Sequence, residues 1–592
     1  MTGSASFDAR RRAIRIDLIV AIALAAILSI SWSIIDWARL SRLMLPDPDD
    51  TMRLLQVRDW IAGQDVNEWT QYRMGPPEGA LMHWSRVNDV GIAAIILAAT
   101  PFIGQHHAEL VAILLYPALL FAGAMFLSAR IARRLWGAPA APIAALLTAI
   151  AFPGPTVFIP GRVDHHALQV ILIQLLVLWS MRRPSLTSGL RTGAVAAVSL
   201  VVGLESAPQV AAVMACLFFV WVSGRTGERE RLAGFAVALA GVTGLFLLFL
   251  RPTFWSAQYC DAFTPASSMA TLASAAALGV LALLDPALRD WRWRLGVGAV
   301  LGAAALGASL FAFPVCISGP YGAVDPVLRA LFYPHIVEAN GIFEQDGLAA
   351  MIAVSGVVFA GCLTSIWMIR RAHGRWPETA PIVAVLWISM LVMLAQVRGG
   401  YIGAPMAAPI LAGSIVAARA RERHRTLATA GAWLASAGLV YLHVPEGVEA
   451  VFRGVRASAV PSVQVACTVG DSWTEVNRYP AGTVMTGTNV AAYLIGSTHH
   501  TTIGAGYHRN NAANMAIYRF FLGRPERARR IAQRWRVDYV LFCPGDFNEV
   551  DPARAFPASL VTALREGRPP AWLQPLPLRN TPLRFYRVVA PR

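Results

Sequence analysis

The sequence predicts an α-helical polytopic membrane protein with a small C-terminal α/β domain. Hydrophobic residues make up 56% of the 592 residues and charged residues only 15%, which is typical of chains that cross a membrane many times. Long apolar runs alternate with short turns rich in arginine, as in the cytoplasmic loops of membrane proteins. The net charge of +16 therefore indicates topology rather than nucleic-acid binding. Because the sequence contains no lysine, Schiff-base and lysine-nucleophile chemistry are excluded.

The N-terminal region predicts a cytoplasmic terminus and an uncleaved membrane helix. Arg10–Arg12 precede an apolar run, about Ile16–Ile35, that is long enough to span about 30 Å of hydrocarbon. A cleaved signal peptide is the alternative, but no small-x-small cleavage site follows the run. The next stretch, about Ala38–Gln105, is predicted to be a long outer loop. Its apolar end, Val90–Ile103, is short for a span, so we predict a juxtamembrane helix there and a second span that begins near His107.

This assignment places every arginine-rich turn on the cytoplasmic side. About thirteen spans result, and the last, about Thr426–His443, leads into an outer domain. The chain is therefore divided into a transmembrane domain, residues 1–444, and an extracytoplasmic α/β domain, residues 445–592. The arginine-rich turns are Arg130–Arg134, Arg182–Arg191, Arg225–Arg231, Arg289–Arg294, Arg370–Arg375 and Arg419–Arg425, and the larger outer loops are about Ala38–Gln105, Pro153–His166, Arg251–Ser267 and Cys316–Gln345.

The C-terminal region has the pattern of a small α/β domain. Three short segments, Thr483–Met485, Thr501–Gly504 and Asp538–Phe542, are predicted strands, and Ala512–Trp535 is a predicted basic helix. The arginines of that helix are most simply a solvated or headgroup-facing surface, with an anion site as the alternative. Four cysteines fall in predicted outer regions, so one or both of two pairs form disulfides if that side is oxidising: Cys260 with Cys316, and Cys467 with Cys543.

The first outer loop opens on a concentration of charge. Asp47, Asp49, Asp50 and Arg53 follow directly after the first apolar run, where a membrane helix emerges into water. An isolated Asp-Pro-Asp-Asp is more often a solvated helix cap than a site. Other charged groups on the same side of the membrane favour chemistry instead, and His83 in the same loop is an additional metal ligand in this hypothesis.

Two further outer loops carry groups suited to a divalent metal. The second loop contains Asp164-His165-His166, in which an Asp and a His two residues apart can both face Mg²⁺ or Mn²⁺, although the same residues can simply cap a helix. The fourth outer loop contains His335-Ile336-Val337-Glu338, in which Glu338 is a further acid available to the same site. The alternative is that Glu338 is a solvated loop residue. Glu205 and Arg398 lie near bilayer depth, where an ionisable side chain needs a partner of opposite charge or a hydrogen-bonding group. A phosphate is a suitable partner for Arg398. The alternative is that Arg398 extends its side chain from the helix end to the membrane surface.

Taken together, these motifs resemble the membrane-embedded GT-C glycosyltransferases, and most closely the catalytic subunit of oligosaccharyltransferase and its single-chain bacterial and archaeal relatives. The first-loop Asp47-Pro48 followed by Arg53 is similar to their Asp-Pro-x-x-x-x-Arg motif, and Asp164-His165-His166 to their second-loop motif. Ile336-Val337-Glu338 resembles their Ile-x-Glu, and Arg398-Gly399-Gly400-Tyr401 the segment whose arginine contacts the lipid-linked phosphate. The resemblance implies Asp47, Asp164, His166 and Glu338 as metal ligands and Arg398 as a contact of the donor phosphate. We predict that Arg53 and Tyr401 also belong to the donor-phosphate site.

One departure from the family bears on the acceptor. The family's tail carries Trp-Trp-Asp-Tyr-Gly, which reads the hydroxyl of a glycosylation sequon, whereas the matching position here is Thr486–Tyr493 and lacks both tryptophans and the aspartate. N-glycosylation of sequons is therefore not expected. Gly504–Asn511 either shapes a different acceptor site or is turn structure, and we predict an acceptor region at Asn489, Tyr507, His508 and Arg509.

The hypothesis is an inverting glycosyltransferase of the bacterial inner membrane that works at the outer face. It takes a sugar or glycan from a polyprenyl phosphate or diphosphate with the help of Mg²⁺ or Mn²⁺, and passes it to a lipid, glycan or protein acceptor. Asp47, Asp164 and Glu338 are the predicted catalytic acids, and Asp50 or Asp49 deprotonates the acceptor. The alternatives are a flippase or transporter of polyprenyl-linked lipids and a monosaccharide transferase of the lipid A or protein-O-mannosyl type, which shares the fold. Internal repeats, which a transporter predicts, are not visible in the sequence.

Overall fold

The computed structural model describes residues 2–249, 259–319, 321–322, 324–331, 336–371, 376–422, 424–453, 467–468 and 472–589. Within these ranges, nine helices are long and apolar enough to cross a membrane, or ten if a bent pair of helices is one span, and three further apolar helices are shorter. The sequence predicts about thirteen spans, so the described residues contain fewer helices of spanning length than that number. The nine are Arg11–Ile35, Val87–Trp136, Leu204–Val222, Glu228–Leu247, Pro265–Leu284, Trp291–Ala312, Leu348–Arg371, Trp376–Ala395 and Gly399–Arg419; the bent pair is Arg425–Ser436 and Gly438–Glu449; the shorter helices are Ala140–Ala149, His166–Ser180 and Leu186–Val202.

The second long helix is two helices joined at a glycine. Gly104 has φ 73° and ψ 164°, which breaks the helical path of Val87–Trp136 in a conformation that favours glycine. The break separates the apolar segment Val90–Ile103 from the helix that begins after it. A separate short helix before His107 is what the charge pattern predicts.

Several of the arginine-rich turns lie together at one end of the bundle. Arg130 and Arg133 both donate to the carboxylate of Asp17 in the first helix, at 3.0 and 2.8 Å. Arg231 donates to the carbonyl oxygen of Ser180 at 3.1 Å, which joins two other turns. The opposite end of the bundle carries the long loops and the C-terminal domain, so the structure separates the two ends as the charge pattern predicts.

The first outer loop has its own secondary structure. The helix Pro48–Ile61 begins at Asp47, whose side chain accepts a hydrogen bond from the backbone of Asp49 at 2.9 Å. Pro48 occupies the first helical position, where no backbone N–H is needed. The short antiparallel strands β1, Thr70–Gln71, and β2, Ala80–Leu81, follow.

A five-stranded sheet forms the core of the C-terminal domain. The strands are β3 Thr483–Met485, β4 Thr501–Thr502, β5 Tyr539–Phe542, β6 Leu573–Leu576 and β7 Arg584–Val588. Their order in the sheet is β4-β3-β5-β7-β6, with β3 parallel to β4 and β5, and β7 antiparallel to β5 and β6. All three predicted strands are present, and the antiparallel pair β6 and β7 was not predicted. The helices of the domain are Ser472–Val476, Thr488–Ser497, Asn511–Phe521, Pro525–Arg534, Pro552–Ala555 and Leu560–Arg565.

The basic helix predicted over Ala512–Trp535 is wrong in one respect, because the structure divides it in two. The first part ends at Phe521 and the second begins at Pro525. Proline has no N–H to continue the first helix, but it is well suited to begin the second. The helix that begins at Gly438 continues to Arg453. The boundary between residues 444 and 445 stays a prediction.

The C-terminal domain is docked on the first outer loop. Thr502 of β4 exchanges backbone hydrogen bonds with Arg73 and Gly75, each at 2.9 Å, so the loop extends the edge of the sheet. Arg58 donates to the carbonyl oxygen of Gly496 at 2.8 Å. Beside these bonds lies a shared apolar cluster, which includes Met52, Leu55, Met82 and Trp84 of the loop and Ala491, Ile495 and Tyr507 of the domain.

Both predicted cysteine pairs are disulfides. Cys260 is bonded to Cys316, and Cys467 to Cys543. The first bond joins two outer loops that both approach the C-terminal domain. The second lies within that domain, so both bonds are at the end of the bundle that carries the long loops.

Candidate functional site

A cavity of about 560 Å³ lies between the outer loops and the C-terminal domain. Parallel strands β3 and β4 direct their carboxyl ends toward it, and ligands commonly bind at such ends. The residues after these strands, Thr488, Asn489 and Tyr507, line one wall. The charged and imidazole side chains that line it are Asp47, Asp49, His83, Glu205, Asp261, Glu338, Arg398, His508 and Glu549.

Asp47 and Asp49 lie at the N-terminus of the loop helix and face the cavity. One oxygen of Asp47 caps the helix, and the other accepts from Arg162 Nη1 at 2.9 Å. Burial raises the pKa of Asp49 well above its ordinary value, and the carboxylates of Asp47, Asp164 and Glu338 raise it further. Four carboxyl groups from three segments are therefore close together, a concentration of like charge that a divalent cation would offset.

Asp50 has a different position from the one expected of a catalytic base. It is fully buried, does not line the cavity, and accepts hydrogen bonds from the backbone N–H groups of Val163 and Asp164 at 2.8 and 2.9 Å. Burial raises the pKa of Asp50 to about 8, against the opposing effect of Arg162. Asp50 thus holds the second outer loop on the first, whereas its neighbour Asp49 reaches the cavity.

The second outer loop forms a compact group of possible ligands. Asp164 accepts from His165 Nδ1 at 2.5 Å and from His166 Nδ1, and each of the three residues offers a ligand atom within 4.8 Å of the others. His166 Nε2 is buried and has no hydrogen-bond partner among the described residues. A histidine with one ring nitrogen held by a carboxylate and the other open is typical of metal ligands. These residues therefore fit a metal site.

Glu338 and Arg398 form an ion pair on the wall opposite the loop helix. Arg398 Nη2 donates to Glu338, whose second oxygen accepts from Tyr401 at 3.2 Å. Burial alone would raise the pKa of Glu338, but Arg398 and His166 lower it below its ordinary value. Arg398 Nε is buried and, within the described ranges, has no hydrogen-bond partner. His335, named with Glu338 in the sequence, lies outside the described residues.

Arg53 does not reach the cavity, which corrects its predicted place in a donor-phosphate site. Its side chain is 1% exposed, pairs with Asp89 at 3.1 Å and with Asp164 at 3.5 Å, and lies 4.4 Å from the ring centre of Trp84. The motif alone could not reveal this, because the turn from Ser85 to Asp89 that surrounds the guanidinium is distant in sequence. Arg53 is a structural residue beneath the site.

We therefore expect Arg53→Ala to lower stability. Among the described residues, the change leaves Arg86 alone to balance the buried charge of Asp89, and breaking a buried pair costs about 3 to 5 kcal/mol. The measurement is the thermal unfolding midpoint of the purified protein in detergent, with Arg530→Ala, at an exposed helix position, as control. An Arg53→Ala protein that unfolds at the wild-type temperature would contradict this role.

The predicted acceptor residues divide into two groups. Asn489, Tyr507 and His508 line the cavity, whereas Arg509 is 2% exposed and pairs with Asp261 at 2.8 Å. His83, predicted as an extra ligand of the first metal site, instead meets Asp261 and His508 on another wall. Several lining residues carried no sequence signal that we used, namely Asp261, Tyr321, Gln396, Tyr518, Asn548 and Glu549.

No protein-family model and no curated protein matches the sequence. Solved structures are similar in fold. The archaeal oligosaccharyltransferase AglB from Archaeoglobus fulgidus, in complex with an inhibitory peptide and a dolichol-phosphate, is 16% identical, with a TM-score of 0.64 over 90% of this chain and 70% of that chain. The apo form of the Archaeoglobus fulgidus oligosaccharyltransferase is 17% identical, with a TM-score of 0.66 over 89% and 69% of the two chains. Its complex with Zn and sulfate is 16% identical, with a TM-score of 0.56 over 89% and 68%. The chain therefore shares the fold of these oligosaccharyltransferases, as its motifs predict.

Proposed function

From the GT-C fold of this chain, we propose that it is an integral-membrane glycosyltransferase. It transfers a sugar or glycan from a polyprenyl-phosphate or polyprenyl-diphosphate donor to an acceptor at the outer face of the membrane. The observation that carries the proposal is the cavity in which Asp47, Asp49 and Glu338 face Arg398. Acids and an arginine around one space, between membrane helices and an outer domain, suit a phosphate-bearing lipid donor and an acceptor that meet there.

The donor phosphate is assigned to Arg398. Its Nη groups contact Glu338 and Tyr321, and its buried Nε has no partner in the described part of the chain. A phosphate oxygen can accept from this Nε–H, because guanidinium and phosphate are well matched in geometry. The dolichol-phosphate bound to the archaeal enzyme of the same fold supports a lipid-linked donor here.

Asp47, Asp164, His166 and Glu338 are the residues that would hold a divalent metal. Carboxylate oxygens with one imidazole suit Mn²⁺ or Mg²⁺. The open His166 Nε2 and the crowding of carboxylates at Asp49 both fit such an ion. When bound, the metal supplies positive charge that stabilises the departing phosphate. The complex of the archaeal enzyme with Zn and sulfate supports a cation site in this fold.

The chain's own residues account for the proton and the leaving group. The acceptor oxygen or nitrogen attacks the anomeric carbon while Asp49 takes its proton. The bond from the anomeric carbon to the phosphate oxygen breaks, and the electron pair leaves with the phosphate, which Arg398 stabilises. Because attack and departure are on opposite sides of the carbon, the configuration inverts. Thr488 and Asn489 replace the sequon-reading residues at the acceptor wall.

The proposed location is the bacterial inner membrane, with the site and the C-terminal domain in the periplasm. The two disulfides at this end of the bundle support an oxidising compartment. The arginine-rich turns at the other end support a cytoplasmic face there.

The test is turnover of radiolabelled polyprenyl-linked sugars by the purified protein with and without EDTA. We expect metal-dependent release of polyprenyl phosphate from a monophosphate donor, or of polyprenyl diphosphate from a diphosphate donor, as the sugar passes to an acceptor or to water. A monosaccharyl monophosphate donor and an oligosaccharyl diphosphate donor are supplied in separate reactions. Turnover of the first indicates a monosaccharide transferase, and turnover of the second indicates an oligosaccharide transferase. Donor binding without release in any metal would overturn the proposal and favour a flippase.

Arg398→Ala is expected to weaken use of the donor. A hydrogen bond to a charged group contributes about 1.5 to 3 kcal/mol, which corresponds to about a 10- to 150-fold rise in KM for the donor. Arg398→Lys keeps the charge without the planar group and should recover only part of the loss. Donor titrations of wild type, Arg398→Ala and Arg398→Lys provide the measurement. An unchanged KM for the donor in Arg398→Ala would show that Arg398 does not bind the donor phosphate.

A further inference from the structure

A second group of metal-ligand side chains lies on the wall of the cavity beside the C-terminal domain. His83, Asp261 and His508 come from the first outer loop, the loop before Pro265–Leu284 and the C-terminal domain. Each offers a ligand atom within 4.8 Å of the other two, and His508 Nε2 contacts Asp261 Oδ2 directly. The ring centres of His83 and His508 are 4.9 Å apart. Three segments far apart in sequence thus converge on one point.

Charge balance does not require this convergence, because Asp261 already has a partner. Arg509 donates to both of its oxygens, from Nε at 3.0 Å and from Nη2 at 2.8 Å. The same guanidinium donates to the carbonyl oxygen of Met82, next to His83, at 3.1 Å. Arg509 therefore fixes the carboxylate and the backbone beside one imidazole, as residues around a metal site commonly do.

We propose that His83, Asp261 and His508 form a second metal site, which takes Zn²⁺. Two imidazoles and one carboxylate are a common zinc ligand set, and they leave a fourth position open. All three residues line the cavity, so water or an acceptor group can occupy that position. Imidazole-rich sites bind zinc more tightly than Mg²⁺, which prefers oxygen ligands.

A zinc ion at this point would link the three segments that carry it. Asp261 follows Cys260, whose disulfide to Cys316 joins its loop to the loop that contains Tyr321. The ring of Tyr321 lies against His508, and its hydroxyl group contacts Arg398 Nη1 at 3.3 Å. The second site therefore fixes the wall that leads from the C-terminal domain to the proposed donor-phosphate residue.

The test measures bound zinc in the full-length protein. The protein is stripped with a chelator, exposed to Zn²⁺ in excess Mg²⁺, which occupies the oxygen-rich site, and desalted before elemental analysis. We expect wild type to retain about one zinc ion per chain. His83→Ala and His508→Ala should each lose it. The matched histidine control, His107→Ala at an exposed position, should keep it.

Two further variants make the outcome decisive. Asp47→Ala should keep its zinc even where transfer is lost, so failure of the proposed function and failure of this site are distinguishable. His508→Cys loaded with Co²⁺ should show a thiolate-to-cobalt charge-transfer band that wild type, loaded in the same way, lacks. Wild type without zinc, unchanged zinc in both alanine variants, or no such band in a folded His508→Cys protein would overturn the site.

Discussion

Asp47→Ala is expected to lower sugar transfer by at least about 100-fold, because even residues that only support metal ligands cost 10- to 100-fold when removed. Asp47 faces the cavity, caps the loop helix and pairs with Arg162. Among the described residues, no other acid of the cavity does all three. Its loss removes a proposed metal ligand and leaves the helix start without its cap. The measurement is release of polyprenyl phosphate as Mn²⁺ or Mg²⁺ is titrated.

The control is Asp36→Ala, which removes an acid of the same region that pairs with Arg39 and does not line the cavity. This variant should transfer sugar at the wild-type rate. Losing the cap costs about 1 kcal/mol, so the Asp47→Ala protein should still fold and insert. An Asp47→Ala enzyme that is active and independent of metal would remove Asp47 from the site.

Much of the architecture follows from simple patterns in the sequence. Apolar run lengths and arginine-rich turns predict a chain with many apolar membrane helices, and the break at Gly104 falls between the predicted juxtamembrane helix and the second span. These features are local, and hydropathy and charge decide them. The strands β6 and β7 escaped prediction although they pair with each other across a short connection, because Pro575 lies within β6 and a proline argues against a strand.

The site was predicted in outline but not in detail. Motif order brings Asp47, Glu338 and Arg398 to one cavity, as the resemblance implies. Which neighbouring acid faces inward depends on the helix that begins at Pro48, and a run of consecutive aspartates does not specify it. The cluster of Asp261 with His508 could not be predicted from the sequence, since the two residues are far apart and Asp261 belongs to no motif, although His508 was predicted as an acceptor residue.

The two neighbouring aspartates of the loop helix allow the sharpest separation of chemistry from structure. Asp49→Asn should lower the rate of transfer by about 10²- to 10⁴-fold, the usual contribution of a general base, and leave KM for the donor near its wild-type value. Asp49 lines the cavity, and the amide that replaces it has nearly the same shape but cannot take a proton. Initial rates at saturating metal and donor give this comparison.

Asp50→Ala is expected to act through the fold instead. The backbone N–H groups of Val163 and Asp164 lose their acceptor in a buried place, and each such loss costs about 1 to 3 kcal/mol. The thermal unfolding midpoint of the Asp50→Ala protein should therefore fall, whereas the midpoint of the Asp49→Asn protein should not. If Asp49→Asn transferred sugar at the wild-type rate, another group would accept the acceptor's proton, and the acids of the cavity would act only as metal ligands. Asp49 and Asp50 are adjacent, but only Asp49 reaches the cavity. A loss of rate in Asp49→Asn together with a loss of stability in Asp50→Ala would therefore identify Asp49 as the general base and show that the negative charge of the acidic run does not by itself account for catalysis.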